Sequence, residues 1–109
     1  MKLFNKAALV LCFFLAVVVL TSGTAAAGTR PIADFDYRAD NVSTYYEMHF
    51  YDTSSGYPTS WTWYFGDGCT SHAQNPSHIY DSPGWYWVAL RVSNVYGSSF
   101  VIKEVSVTV

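Results

Sequence analysis

Cysteine is scarce in this chain: its 109 residues hold only Cys12 and Cys69. Cys12 lies inside an apolar N-terminal run, so Cys69 stands alone in everything that follows. Once that run is removed, no internal disulfide can form. Small exported domains often depend on such bridges, so this one needs another source of stability. Basic residues are also few, and they form no patch, which removes the usual electrostatic footprint of a nucleic-acid partner. Beyond Gly28 there is no helical period of apolar residues, no repeat and no low-complexity stretch. A Gly-x-Ser-x-Gly nucleophile elbow is missing too. His49, His72 and His78 are the only candidate imidazole bases, and nothing in the spacing joins one of them to a serine and an aspartate. The sequence therefore assigns no catalytic residue and no cofactor.

What is present begins with an export signal. Lys2 and Lys6 form a short basic start, Ala7 to Leu20 is unbroken apolar, and Ala25-Ala26-Ala27 fits a small-x-small cleavage rule. The expected cut follows Ala27, giving a signal peptide over residues 1–27 and one domain over residues 28–109. The apolar run is short beside the roughly 20 residues of a membrane span. Retention as an N-terminal anchor is the alternative, and only then is a membrane a partner. Removing Lys2 and Lys6 leaves four cations against eight carboxylates, a formal charge of about −4.

Short alternating runs separated by Gly, Pro, Ser, Asn and Asp mark an all-β domain. Strands are expected over 32–37, 43–52, 60–65, 77–80, 85–93 and 98–109, with loops over 53–58 and 71–76. The most informative stretch is Trp61-Thr62-Trp63-Tyr64-Phe65-Gly66-Asp67-Gly68. Period-two alternation puts Trp61, Trp63 and Phe65 on one face, and rings of that size need a second sheet to cover them. Gly66 and Gly68 then permit a tight reversal, and Asp67 is expected to cap it. Cys69 is expected as a partly buried turn residue rather than a thiol linking two chains. About seven short strands in so short a domain predict an immunoglobulin-like two-sheet sandwich.

The same blocks resemble the PKD (polycystic kidney disease) domain family nearly end to end, from Pro31 to Val109. They are Ala33-Asp34-Phe35, Phe50-x-Asp52-x-Ser54, Trp61-x-Trp63-x-Phe65-Gly66-Asp67-Gly68 and Asn75-Pro76-x-His78-x-Tyr80. Gly84-x-Tyr86-x-Val88-x-Leu90-x-Val92-x-Asn94 and Val105-x-Val107-x-Val109 complete the series. Two residues depart from the family's pattern: Tyr64, where Asp is usual, and Cys69, where Thr or Ser is common. The resemblance implies an immunoglobulin-like sandwich of extracellular and cell-surface proteins. Such domains serve as spacers or as protein- or polysaccharide-binding modules and are not themselves enzymes. It also implies a structural hydrogen-bonding role for His78.

Three surface features remain. Asp34, Asp36 and Asp40, with Asn41, offer hard oxygens of the kind calcium prefers. An acidic strand edge that resists pairing is the preferred account of them, so no metal ligand is assigned. Asn41-Val42-Ser43 is a glycosylation sequon. Lastly, if Tyr86, Val88, Leu90 and Val92 face inward, then Trp85 and Trp87 face outward, and Tyr64 faces outward on a neighbouring strand. Tyr64, Trp85 and Trp87 are thus the candidate ligand-binding patch, for a protein or a polysaccharide at the cell surface. The alternative role is a structural spacer or envelope component assembling through its faces and edges.

Overall fold

A computed structural model describes residues 28–39 and 46–108. Seven strands follow in order: β1 (Phe35–Ala39), β2 (Tyr46–Asp52), β3 (Ser60–Tyr64), β4 (Thr70–Ser71), β5 (Ser77–Tyr80), β6 (Gly84–Asn94) and β7 (Gly97–Val107). They make two antiparallel sheets, β1-β2-β5 and β4-β3-β6-β7. This is the expected all-β, immunoglobulin-like sandwich. The segment 1–27, Asp40, Asn41 and Val109 lie outside the described residues.

Alternation in each strand builds the interior. Phe35, Met48, Phe50 and Tyr80 come from the first sheet. Trp63, Val88, Leu90, Val92, Val105 and Val107 come from the second, with Phe65 just beyond β3. Trp63 is the centre of the aromatic packing. Its ring meets Phe35 edge-on at 5.1 Å and Phe50 at 5.5 Å, while Phe50 meets Phe65 at 5.3 Å. Rings at such tilts and distances gain beyond their buried area.

Polar ties between the sheets stand where a bridging disulfide would. The buried Tyr80 hydroxyl of β5 donates to the Phe65 carbonyl across the sandwich at 2.8 Å. Burial pushes its phenol well above the ordinary tyrosine range, so it stays a donor throughout the physiological range. Trp63 Nε1 donates to the Ala73 carbonyl at 2.9 Å, fixing the loop between β4 and β5 to its own sheet. Lys103 of β7 reaches across to Asp34 Oδ1 at 2.9 Å and to the Phe35 carbonyl. Among the described residues no buried side-chain nitrogen or oxygen lacks a partner.

Three local readings of the sequence are corrected. The first strand begins at Phe35, and Ile32 makes only an isolated bridge to Ser55. Ser71, expected to open a loop, is strand: Thr70–Ser71 pairs with Trp63 and Tyr64 once the Gly66–Gly68 turn has reversed the chain. Two residues leave too little pattern to read as a strand. Cys69 is exposed rather than partly buried, because the turn points it away from both sheets.

Candidate functional site

The outward face of the β4-β3-β6-β7 sheet is built by the same alternation that fills the core. On β6, Val88, Leu90 and Val92 are fully buried and Tyr86 packs partly against the core. Their neighbours Trp85 and Trp87 are 67% and 63% exposed, and Tyr64 on β3 is 46% exposed. The register sets their arrangement. Tyr64 lies opposite Ala89, and Ala89 lies opposite Ile102 of β7. Trp87 lies opposite Glu104, Trp85 opposite Ser106, and Arg91 opposite Phe100. Tyr64 and Trp87 are therefore diagonal neighbours across β3 and β6, within reach for long side chains.

Two members of this face were missed in the sequence. Phe100 and Ile102 are 67% and 51% exposed and continue the apolar surface onto β7. The signal was present. Val105 and Val107 face inward, so stepping back by twos puts Val101 and Lys103 inward and Phe100 and Ile102 outward.

The register also tests whether these rings merely stabilise the sheet. Cross-strand aromatic pairs do so. Here the partners across from Trp85, Trp87 and Tyr64 are Ser106, Glu104 and Ala89. Among the described residues, the ring–ring contacts lie among Phe35, Tyr37, Phe50, Trp63, Phe65, His78, Tyr80 and Tyr86, and none involves the outward tryptophans. Their faces are left to solvent.

Gly66 fixes one border of the patch. Its φ is +88°, and a Cβ there would lie 2.6 Å from the Trp87 carbonyl oxygen. Gly68 has φ +97° but nothing within 4 Å. Gly66→Ala should therefore cost more than Gly68→Ala. Both incur the left-handed cost of about 1–2 kcal/mol, and only Gly66→Ala adds a backbone clash. Denaturant melts of the two variants give the comparison; equal losses would contradict the close approach.

Past that turn, Asp67 Oδ1 accepts the Cys69 amide at 3.1 Å, capping the reversal as expected. Its Oδ2 lies 2.7 Å from His78 Nε2. His78 stacks on Phe65 at 4.2 Å with 5° between planes. Burial alone would raise the Asp67 carboxyl, but the hydrogen bonds to His78 and the Cys69 amide outweigh it and hold it below the usual range. The same carboxylate pushes the Cys69 thiol up. That is the opposite of a nucleophile's environment, which lowers a thiol. The other histidines do polar work at the surface. His49 Nδ1 lies 2.7 Å from Ser77 Oγ, and His72 Nδ1 lies 3.2 Å from the Trp61 carbonyl. The rest of the Asn75-Pro76 block holds the first sheet's far side: Asn75 Oδ1 accepts the Asp52 amide and the Pro76 carbonyl accepts that of Phe50.

Among the described residues, the acidic side chains near the first strand form no cluster of three. Asp34 is paired with Lys103, whose hydrogen bond is the main reason its carboxyl sits low. Asp36 pairs along the ladder with Tyr51, and Asp40 lies outside the described residues. A cleft of about 600 Å³ opens beside Trp61, Tyr57, Pro58 and Gln74. Its carboxylate, Asp52, is already engaged: Oδ2 takes Trp61 Nε1 at 2.8 Å and Gln74 Nε2 at 3.0 Å, and Oδ1 takes the Ser54 amide. Burial raises Asp52, yet these hydrogen bonds prevail and its carboxyl is lowered.

A pH dependence follows. Asp34, Asp52 and Asp67 all ionise more readily folded than unfolded, where the value is about 3.9. Their contribution is fully present above that value and is lost as pH falls through the folded ones. The melting temperature should stay level down to about pH 5 and then drop. Asp52→Asn should flatten the drop; an acid limb as steep as wild type would mean Asp52 contributes nothing to it.

Fold and face together define an immunoglobulin-like module with apolar rings on the outward face of one sheet. The chain belongs to the PKD domain family, whose model matches residues 28–109. Among solved structures it is similar to the PKD1 domain of the Vibrio cholerae metalloprotease PrtV. The TM-score is 0.65 and the identity 28%, covering 72% of this chain and 98% of that one. The PKD1 domain of Vibrio anguillarum Epp gives 0.64 and 26%, covering 72% and 94%. The PKD domain of the human receptor SorCS2 shares the fold at TM-score 0.56 and 21% identity, covering 73% and 76%. In sequence, 45 residues are 42% identical to collagenase ColA of Bacillus cereus, covering 41% of this chain and 5% of that protein. The chain thus spans a small fraction of that relative's length.

Proposed function

We propose that this is an exported, non-enzymatic PKD module that attaches to a protein or polysaccharide at the cell surface through its outward aromatic face. The observation that carries this is the exposure of Trp85 and Trp87 opposite Ser106 and Glu104, with no ring paired against them. Exposed apolar rings in a cluster mark contact surfaces. Tryptophan dominates such contacts when it is buried at their centre. Flat rings bordered by polar groups suit a sugar ring, and the Phe100–Ile102 extension suits a protein. The extracellular setting is supported by the relatives, which include domains of a Vibrio metalloprotease and a Bacillus collagenase.

The test is retention of the purified protein on chitin, cellulose and native envelope fractions, with soluble oligosaccharides as competitors. Retention on a polysaccharide that its oligosaccharide reverses supports sugar binding. Retention on envelope that only protease treatment abolishes supports a protein partner. No retention on any of them sinks the reading.

A second reading, assembly as a structural spacer, draws on β7. It is an eleven-residue edge strand carrying Phe100 and Ile102 on its outward side. Lys103 opposes pairing along that edge, since an inward-turned charge is a common guard against it. The face, rather than the edge, is the better surface for assembly.

A further inference from the structure

We propose that Asp67, Cys69 and His78 form a binding site for a thiophilic divalent transition ion of the zinc class. Asp67 and Cys69 lie in the turn between β3 and β4, while His78 comes from β5 in the opposite sheet. One ligand atom from each lies within 4.8 Å of the other two. Among the described residues this is the one group of three such side chains so placed.

The donor set fits the ion. Thiolate, imidazole and carboxylate are the three protein ligands of zinc. A thiolate and a carboxylate match a dipositive ion, and calcium or magnesium would decline the sulfur. Three protein ligands on an exposed turn leave the fourth position to water, as open zinc sites do.

The geometry needs small movements. Tetrahedral zinc with bonds of about 2.0–2.3 Å sets its ligands roughly 3.3–3.6 Å apart. Asp67 Oδ2 and His78 Nε2, now 2.7 Å apart, must open by roughly half an ångström. The thiol must close by about 1.2 Å at most. Cys69 is exposed and Asp67 sits between two left-handed glycines, so both can adjust. His78 cannot move far, and need not, because Phe65 holds its ring flat and Tyr80 meets it edge-on at 4.6 Å. Such outer contacts orient a metal-binding imidazole.

Proton balance is simple. The Cys69 thiol releases its proton to solvent as the ion binds. The proton that His78 Nε2 gives to its hydrogen bond with Asp67 leaves to solvent, and the ring takes one on Nδ1 from solvent, freeing the Nε2 lone pair with no net change at the imidazole. Asp67 gives up its hydrogen bond to His78 and keeps Oδ1 on the Cys69 amide. Site and ion together are then neutral. The ion would tie the two sheets at the end of the sandwich, beside the Tyr80–Phe65 bond, in a domain that has no disulfide to do so.

Cobalt reports the site directly. The protein is freed of metal with a chelator, kept reduced with a phosphine, and titrated with Co²⁺. Expected are the near-ultraviolet thiolate-to-cobalt charge-transfer band, visible bands of a tetrahedral ion, saturation at one ion per chain, and bleaching by Zn²⁺. Zn²⁺ should raise the melting temperature in step with its concentration, while Ca²⁺ and Mg²⁺ should not. Cys69→Ser, at an exposed position, should fold as wild type and lose both the band and the zinc-dependent rise. Absence of the charge-transfer band in wild type overturns the proposal. So does a zinc-dependent rise undiminished in Cys69→Ser, which would put the ion elsewhere.

Discussion

Trp63→Ala should leave the protein unfolded, or folded only well below its normal melting temperature. Trp63 is fully buried and lies between Phe35 and Phe50 of the facing sheet. Truncating an aromatic of this kind to alanine costs about 3–5 kcal/mol. A small domain has only about 5–15 kcal/mol in all. The indole also donates to the Ala73 carbonyl, a tie to the loop after β4 that the truncation removes. Trp63→Phe should be milder, since it keeps most of the packing and forfeits only that donor. Thermal and denaturant melts decide. A melting temperature within a few degrees of wild type for Trp63→Ala would mean the two sheets do not depend on this ring.

The second large effect concerns binding rather than stability. Trp85→Ala and Trp87→Ala should fold normally, because each removes a ring that is more than half exposed and unpaired. Affinity for the attached surface should fall sharply. Removing a central interface tryptophan commonly costs about 2 kcal/mol or more, which is roughly thirtyfold in affinity. Phe100→Ala should do less if the contact is a stacked sugar, and about as much if it is a protein laid across three strands. Quantitative retention assays paired with circular dichroism separate these outcomes. Variants that melt and bind as wild type would reduce the face to ordinary surface. Variants that unfold would mean the tryptophans are core and the inward and outward sets of β6 are exchanged.

Much of this was legible in the sequence because alternation is a strong signal where both faces of a strand have a fixed fate. Trp61-x-Trp63-x-Phe65 and Tyr86-x-Val88-x-Leu90-x-Val92 each named an inward set. The outward set, Tyr64, Trp85 and Trp87, followed by subtraction. The family's blocks added order to the strands, and the pairing of β3 with β6 then brought those rings onto one sheet. Phe100 and Ile102 could have been read by stepping back from Val105 and Val107, but Ser98 and Ser99 at the start of that strand give no sense of face. What escaped altogether was what depends on contact between distant segments. The encounter of His78 with Asp67 crosses from one sheet to the other, and no spacing rule carries that information. Cys69 was expected half inside because small residues suit turns. The turn needed its backbone amide for Asp67 and left the thiol outside.

The path of the chain through the sandwich has a consequence for reach. Near Gly28 the backbone is held beside the β6–β7 turn, where Asn94 Nδ2 donates to the Thr29 carbonyl at 3.0 Å. At its other end β7 leaves alongside Gly84, which pairs with Val107. Entry and exit therefore lie at opposite ends of an eleven-residue strand, about 33 Å apart at roughly 3.3 Å per residue. Anything joined before Thr29 and anything joined after Val107 would be held apart by that length rather than folded back side by side. The aromatic face runs parallel to this axis, so the module presents it sideways, like a pad on the shaft of a strut.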